Sequence, residues 1–217
     1  MAADEDGGIM AIYDNAGNSV AGIAVDEDGG VMQIYNKARK LTVTINAHSY
    51  GGAMAIYNNA GNIVAGMAAD ENGGVMEIYN NAEKPVAAIN THTNGGLLSV
   101  INKAGIPVTV MGASENGQGA LVIYNKVGRF AAKLQDTDKG GILSIKNKAG
   151  IPVAAIGTGI NGHGTLNIFN TAGKFVATMD VSADGDGKLT ITNKKGITVA
   201  GIGVDKDGNG TLEMRKK

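Results

Sequence analysis

Large apolar residues recur at two positions in every repeat of 22 or 23 residues along the chain. The first position is occupied by Met10, Met32, Met54, Met76, Leu98, Leu121, Leu143, Leu166, Leu189 and Leu212. The second, two residues later, is occupied by Ile12, Ile34, Ile56, Ile78, Val100, Ile123, Ile145, Ile168, Ile191 and Met214. A spacing of two predicts a β-strand with both residues on one face. We expect that face to be buried, with Ile78 in the interior.

A second strand with smaller residues is predicted in the later half of each repeat. In the first repeat Ala21, Ile23 and Val25 alternate with Val20, Gly22 and Ala24. Small or apolar residues on both faces are expected where strands or sheets approach closely. The segments between strands, such as "YNNAGN" and "DEDGG", combine Asn or Asp with Gly and predict reverse turns. The pattern is therefore strand, turn, strand, turn, with about twenty strands.

Ten such units predict a single β-repeat domain over residues 1–217, each unit contributing two strands. The units start near residues 7, 29, 51, 73, 95, 118, 140, 163, 186 and 209. One position of the second strand holds a small residue in odd units and a polar residue in even units. The polar residues are Asn46, Asn90, Gln135 and Asp180. The full period is therefore four strands.

Two all-β architectures fit this period. One is an elongated β-helix or β-spiral fibre, in which each unit packs only on its neighbours. The alternative is a five-bladed β-propeller with four strands per blade. Only 4% of the residues are aromatic, which favours the fibre because propellers usually fill the wedges between blades with bulky rings. The incomplete repeats at "MAADED" and "NGTLEMRKK" would close a propeller ring or continue a shaft, and they predict self-association.

The pattern "NKAGIPV…G…GG" resembles the repeats of long bacterial and phage proteins that carry "NKDGK-V-A-x-L-G-x-D-x-x-G-G" units. It is also similar to the triple-stranded β-helix or β-spiral shafts of tail fibres. The resemblance extends from Gly7 to Lys217 and implies an obligate homotrimer with a structural or adhesive role. Arg39 and Glu83 stand where the turn usually has Gly, which puts the uniformity of the turn in doubt.

Composition removes several classes of function. The chain has 19 Lys and Arg against 20 Asp and Glu, a net charge of −1, so it lacks the basic surface expected of a nucleic-acid binder. No apolar run approaches the roughly 20 residues that span a bilayer, and no signal peptide is visible. The absence of Cys excludes disulfides and thiolate chemistry.

Candidate metal ligands occur near the end of the chain. Asp205, Asp207 and Asn209 have the spacing that opens an EF-hand calcium loop. The twelfth position, which should be a bidentate acid, is Lys216, so a strand-connecting turn is the favoured interpretation. No cofactor is predicted.

Three further sets of residues carry groups capable of chemistry. Aligned His48 and His92, together with His163, are interpreted as surface turn residues rather than metal ligands. The run from Asp26 through Glu27 to Asp28 is interpreted as a turn rather than an acid–base pair. The aromatic set comprises Tyr13, Tyr35, Tyr57, Tyr79 and Tyr124, for which packing between strands is favoured over a sugar-binding stripe.

The sequence thus predicts a non-catalytic structural or adhesive fibre shaft that self-assembles as a homotrimer or head-to-tail polymer. The expected location is extracellular or on a virion, with a surface glycan as a further partner. The alternative is a propeller that binds carbohydrate in the manner of a lectin.

Overall fold

The computed structural model describes residues 2–4, 7–26, 29–49, 51–71, 73–92, 95–113, 116–159 and 161–215. Within these ranges the chain forms twenty β-strands and no helix. The predicted all-β repeat of strand and turn is therefore confirmed. Two strands per repeat arise because each repeat holds two runs of alternating residues separated by Gly-containing turns.

The strands belong to two compact units, Met1–Pro107 and Val108–Lys217. The prediction of one domain over the whole chain stays a prediction. The first unit contains β1 (Ala2–Asp4), β2 (Gly7–Tyr13), β3 (Ser19–Asp26), β4 (Gly29–Tyr35), β5 (Leu41–His48), β6 (Gly51–Tyr57), β7 (Ile63–Asp70), β8 (Gly73–Tyr79), β9 (Pro85–His92) and β10 (Gly95–Ile101). The second contains β11 (Pro107–Ala113), β12 (Gly119–Tyr124), β13 (Phe130–Gln135), β14 (Ile142–Lys146), β15 (Pro152–Thr158), β16 (Gly164–Phe169), β17 (Phe175–Val181), β18 (Gly187–Thr192), β19 (Thr198–Val204) and β20 (Gly210–Met214).

Within each unit every strand pairs antiparallel with its neighbours in the chain. The ladder runs without a break from β1 to β10 in the first unit. It runs likewise from β11 to β20 in the second. A propeller would divide these strands into blades, each of which is a separate four-stranded sheet. The propeller alternative is therefore wrong for the described strands, because the short turns allow each strand to pair with the next.

The turn inside each repeat is held by one Asn or Asp side chain. Asn36 Oδ1 accepts the N–H groups of Ala38 and Lys40, at 2.9 and 3.0 Å. The same pair of bonds is made by Asp14, Asn58, Asn80, Asn102, Asn125, Asn147, Asn170 and Asn193. We call this arrangement the side-chain clamp. It provides a hydrogen-bond acceptor for two backbone N–H groups of the turn, which have no partner strand.

Arg39 and Glu83 do not disturb the turn. Their φ angles are 60° and 55°, the left-handed conformation that Gly61 adopts at the same place with φ 89°. The N–H of Arg39 donates to the carbonyl of Asn36 at 2.9 Å, as the N–H of Gly61 does to Asn58 at 3.0 Å. The turn is therefore uniform, and the two non-glycine residues carry backbone strain that glycine avoids.

Candidate functional site

Two rows of mainly aliphatic side chains run across one face of each sheet, and we call the surface that they form the aliphatic face. Cross-strand pairing aligns the first position of each repeat with a large residue on the next strand, as Met10 with Ile23 and Ile23 with Met32. The resulting central row is Met10, Ile23, Met32, Ile45, Met54, Met67, Met76, Ile89 and Leu98 in the first unit. In the second unit it is Met111, Leu121, Leu134, Leu143, Ile156, Leu166, Met179, Leu189, Ile202 and Leu212.

The other row of the aliphatic face alternates in size from strand to strand, and we call it the alternating row. In the first unit it is Ile12, Ala21, Ile34, Val43, Ile56, Ala65, Ile78, Ala87 and Val100. In the second unit it is Thr109, Ile123, Ala132, Ile145, Ala154, Ile168, Ala177, Ile191, Ala200 and Met214. Neither row contains a charged or amide side chain, and the one polar group in them is the hydroxyl of Thr109.

The aliphatic face is left open by the chain. Ile78 is 50% exposed, Met76 39% and Leu212 69%. The expectation that Ile78 is buried is therefore wrong for the single chain, although its place beside Met76 on one face is confirmed. Among the described residues, the buried side chains are Thr44, Ala88 and Ser99, each 6–7% exposed, and all three lie on the opposite face.

The surface area of the whole chain agrees with this uncovered face. The chain exposes 14538 Å². A compact protein of 22.0 kDa is expected to expose about 9,300 Å². The excess of about 5,200 Å² shows that these repeats bury less surface than a compact protein of the same mass.

The opposite face mixes small, polar and aromatic residues, and we call it the mixed face. Tyr35 donates its hydroxyl to Gln33 Oε1 at 2.6 Å, and Tyr79 donates to Glu77 in the same way. The hydrogen bond to Glu77, aided by burial, raises the pKa of Tyr79 to about 12. These tyrosines therefore bond to their own strand, whereas Tyr13, 62% exposed, lies open.

The polar slot of the even repeats lies on the mixed face. Thr44 donates its hydroxyl to Asn46 Oδ1 at 2.6 Å. Asn90 Oδ1 and Asp180 Oδ1 are buried without a hydrogen-bond partner. An unpaired buried oxygen is costly, by about 1–3 kcal/mol, so these two positions are local weak points of the fold.

The second unit has a cleft of about 580 Å³. Its polar and aromatic lining includes Thr137, His163, Thr165, Asn167, Phe175 and Asp180. Asn167 Nδ2 donates to Thr165 Oγ1 at 3.2 Å, and the Phe175 ring lies 4.7 Å from that of Phe169. The sequence predicts that His163 lies on a turn, but it does not reveal the cleft. The residues that line the cleft come from several strands in different repeats.

The candidate metal ligands of the last turn form a clamp of their own. Asp205 Oδ1 accepts the N–H groups of Asp207 and Asn209, both at 2.9 Å. The backbone hydrogen bond from Asn209 is the main cause that lowers the pKa of Asp205. Asp14 makes the equivalent bonds, and the N–H of Asn18 is the main cause that lowers the pKa of its carboxyl group. Asp205 thus has the same role at the β19–β20 turn as Asn in the other turns.

Most of the remaining candidates lie outside the described part of the chain. His48 ends β5 opposite Gly51. Glu27, Asp28 and Lys216 lie outside the described residues, as do the side chains of Asp26 and His92. In the part of the chain that the structure describes, no three His, Cys, Asp or Glu side chains lie close enough to hold a metal ion. No described helix is long and apolar enough to cross a bilayer.

Comparison with known proteins gives no family. No protein-family model matches the chain, and no curated protein sequence matches it. Among solved structures, the Tc holotoxin pore of Photorhabdus luminescens is 8% identical with a TM-score of 0.22, and the match covers 92% of this chain but 13% of the toxin chain. A porin-like protein from Bacteroides uniformis is 11% identical with a TM-score of 0.21, over 94% of this chain and 91% of the other. At these TM-scores the likeness carries no argument about function.

Proposed function

We propose that this chain is a non-catalytic structural protein that assembles with copies of itself into a fibre shaft. The observation that carries the proposal is the aliphatic face, an uncharged surface that the chain itself leaves open. Monomeric proteins rarely expose apolar patches beyond a few hundred Å². A structural role, extracellular or on a virion, gives that face a permanent partner in another copy of the chain.

The repetition of the turns supports the same proposal. Each turn inside a repeat uses the same side-chain clamp, and from β2 to β20 the strands are five to eight residues long. In repeat proteins of this kind, each repeat is stabilised mainly by its contacts with the neighbouring repeats. The number of repeats can therefore vary without a change of architecture. An adhesive function would add recognition to this scaffold without altering it.

Mass and particle shape test the proposal. Light scattering at micromolar concentration should give a mass that is a multiple of 22.0 kDa. Negative-stain images of the same sample should show rods of uniform width. A single-chain mass at all concentrations, with no rods, would refute self-assembly.

The cleft of the second unit favours a second candidate function, carbohydrate binding. Its size is within the 300–1,000 Å³ common for ligand sites. Phe175, half-exposed, offers an apolar ring, and Asn167 offers an amide, the two groups that typically hold the apolar face and the hydroxyl groups of a sugar. Calorimetry with an oligosaccharide panel tests this candidate, and Phe175→Ala should abolish any heat of binding.

A further inference from the structure

We propose that the aliphatic face of one copy packs on the aliphatic face of a second copy, with isoleucines of one alternating row seated over alanines of the partner's alternating row. The inference rests on the proposed self-assembly and specifies its interface. The proposed interface gives a role to the alternation of large and small residues in the alternating row. Neither the formation of strands nor a hydrophobic surface in general requires that alternation.

The alternating row has the geometry of regularly spaced knobs and hollows. Neighbouring strands are about 4.8 Å apart, so isoleucines on every second strand stand about 9.6 Å apart. In the second unit the pattern is unbroken over eight strands, from β12 to β19: Ile123, Ala132, Ile145, Ala154, Ile168, Ala177, Ile191 and Ala200. Each alanine leaves a hollow between two isoleucines.

Such a row is complementary to itself. A second copy shifted by one strand places its isoleucines over these hollows and receives isoleucines in its own. Sheets packed face to face interdigitate their side chains in this way across about 10 Å. A partner with a different repeat length would lose register after a few strands, so the alternation over eight strands points to another copy of this chain.

The charge distribution assigns the same face to the interface. The two rows of the aliphatic face contain no charged or amide residue, whereas the mixed face carries Glu77, Lys133 and Asp180. The centres of protein interfaces are depleted in charged residues. The aliphatic face is therefore suited to a dry contact.

The exposed area is sufficient for a stable contact. In the first unit the side chains of these two rows that are more than a third exposed are Met10, Ile12, Ile23, Ile34, Ile45, Ile56, Met67, Met76, Ile78, Ile89, Leu98 and Val100. At roughly 80 Å² each they present about 1,000 Å². A standard stable interface buries about 800 Å² on each partner, so one unit alone reaches that size.

Two variants of the second unit test the interlock. Ala177→Leu fills a hollow, and Ile168→Ala removes a knob from the neighbouring strand. Thr178→Leu is the matched control, since it adds bulk at the adjacent residue on the mixed face. Light scattering over a concentration series gives the dissociation constant, and far-UV circular dichroism reports whether the strands are intact. We expect both aliphatic-face variants to weaken association at least tenfold, with the control unchanged.

The outcomes separate the interlock from self-assembly. If the wild-type chain assembles and Ile168→Ala and Ala177→Leu assemble equally well, the interlock is wrong while self-assembly stands. If the wild-type chain is a monomer at every concentration, both proposals are wrong. Vesicles of phosphatidylcholine added to such a monomer would then show, by co-sedimentation, whether a lipid surface covers the face instead.

Discussion

Replacing Ile78 by Asp should separate folding of the chain from its assembly. In the single chain Ile78 is 50% exposed, so the change removes about half of the 1.5–3 kcal/mol that full burial of such a side chain provides. The lower strand propensity of Asp adds up to about 1 kcal/mol. We therefore expect the chain to lose about 1–2 kcal/mol of folding stability and to remain folded.

Assembly should suffer far more from Ile78→Asp. A second copy on the aliphatic face would enclose the new carboxylate with no group of opposite charge in either row. An uncompensated buried charge typically costs about 3–5 kcal/mol. Each factor of ten in an equilibrium constant corresponds to about 1.4 kcal/mol, so association should weaken by at least about a hundredfold.

The assay combines light scattering for mass with thermal melting followed by circular dichroism. Tyr79→Ser is the matched control, because the adjacent Tyr79 lies on the mixed face and donates to Glu77. It should leave the mass unchanged. The reasoning is refuted if Ile78→Asp assembles as well as the wild-type chain. It is equally refuted if Ile78→Asp unfolds at concentrations where the wild-type chain is a folded monomer, since that would show that the chain buries Ile78 by itself.

Three further predictions concern the turns and the mixed face. Glu83→Gly should raise the melting temperature by a few degrees and Gly61→Glu should lower it, because both positions have positive φ; equal effects of the same sign would contradict this. Chelation with EDTA should leave the melting temperature unchanged, since Asp205 holds its own turn; a fall that calcium restores would identify a metal site. Tyr79 should ionise near pH 12 rather than 10, so its contribution to stability is present below pH 10.0 and disappears as the pH rises towards 12. Absorbance at the phenolate band during a pH titration should show one tyrosine that ionises at higher pH than the others. In Glu77→Ala that high-pH transition should be absent.

The repeat and its strands could be predicted because local patterns determine them. The spacing of two between Met76 and Ile78 places both on one face, and the structure confirms that placement. The Asn or Asp of each turn inside a repeat, usually with Gly three residues later, likewise fixes a short connection, so that each strand pairs with the next. Arg39 and Glu83 were the doubtful positions, and they adopt the glycine conformation because the surrounding clamp is intact.

Burial and the candidate cleft could not be predicted in the same way. Periodicity shows which face is apolar, but it does not show whether other parts of the same chain pack on that face. The sequence therefore predicts that Ile78 is buried, whereas the chain leaves it half-exposed. The choice between fibre and propeller depended on which strands pair, and the repeat length is the same in both. The cleft near Asn167 and Asp180 requires residues from several strands, whose register is set by the whole ladder.

The accessibility of two engineered thiols tests the central claim most directly. The chain contains no Cys, so Met76→Cys and Glu77→Cys each introduce a single thiol, on the aliphatic and the mixed face respectively. The account predicts that in the assembled protein the thiol at position 76 is protected from a maleimide reagent and becomes reactive on dilution to monomer, while that at position 77 reacts at similar rates in both. Equal reactivity at position 76 in the assembled and the dilute protein would contradict the claim that a second copy covers the aliphatic face.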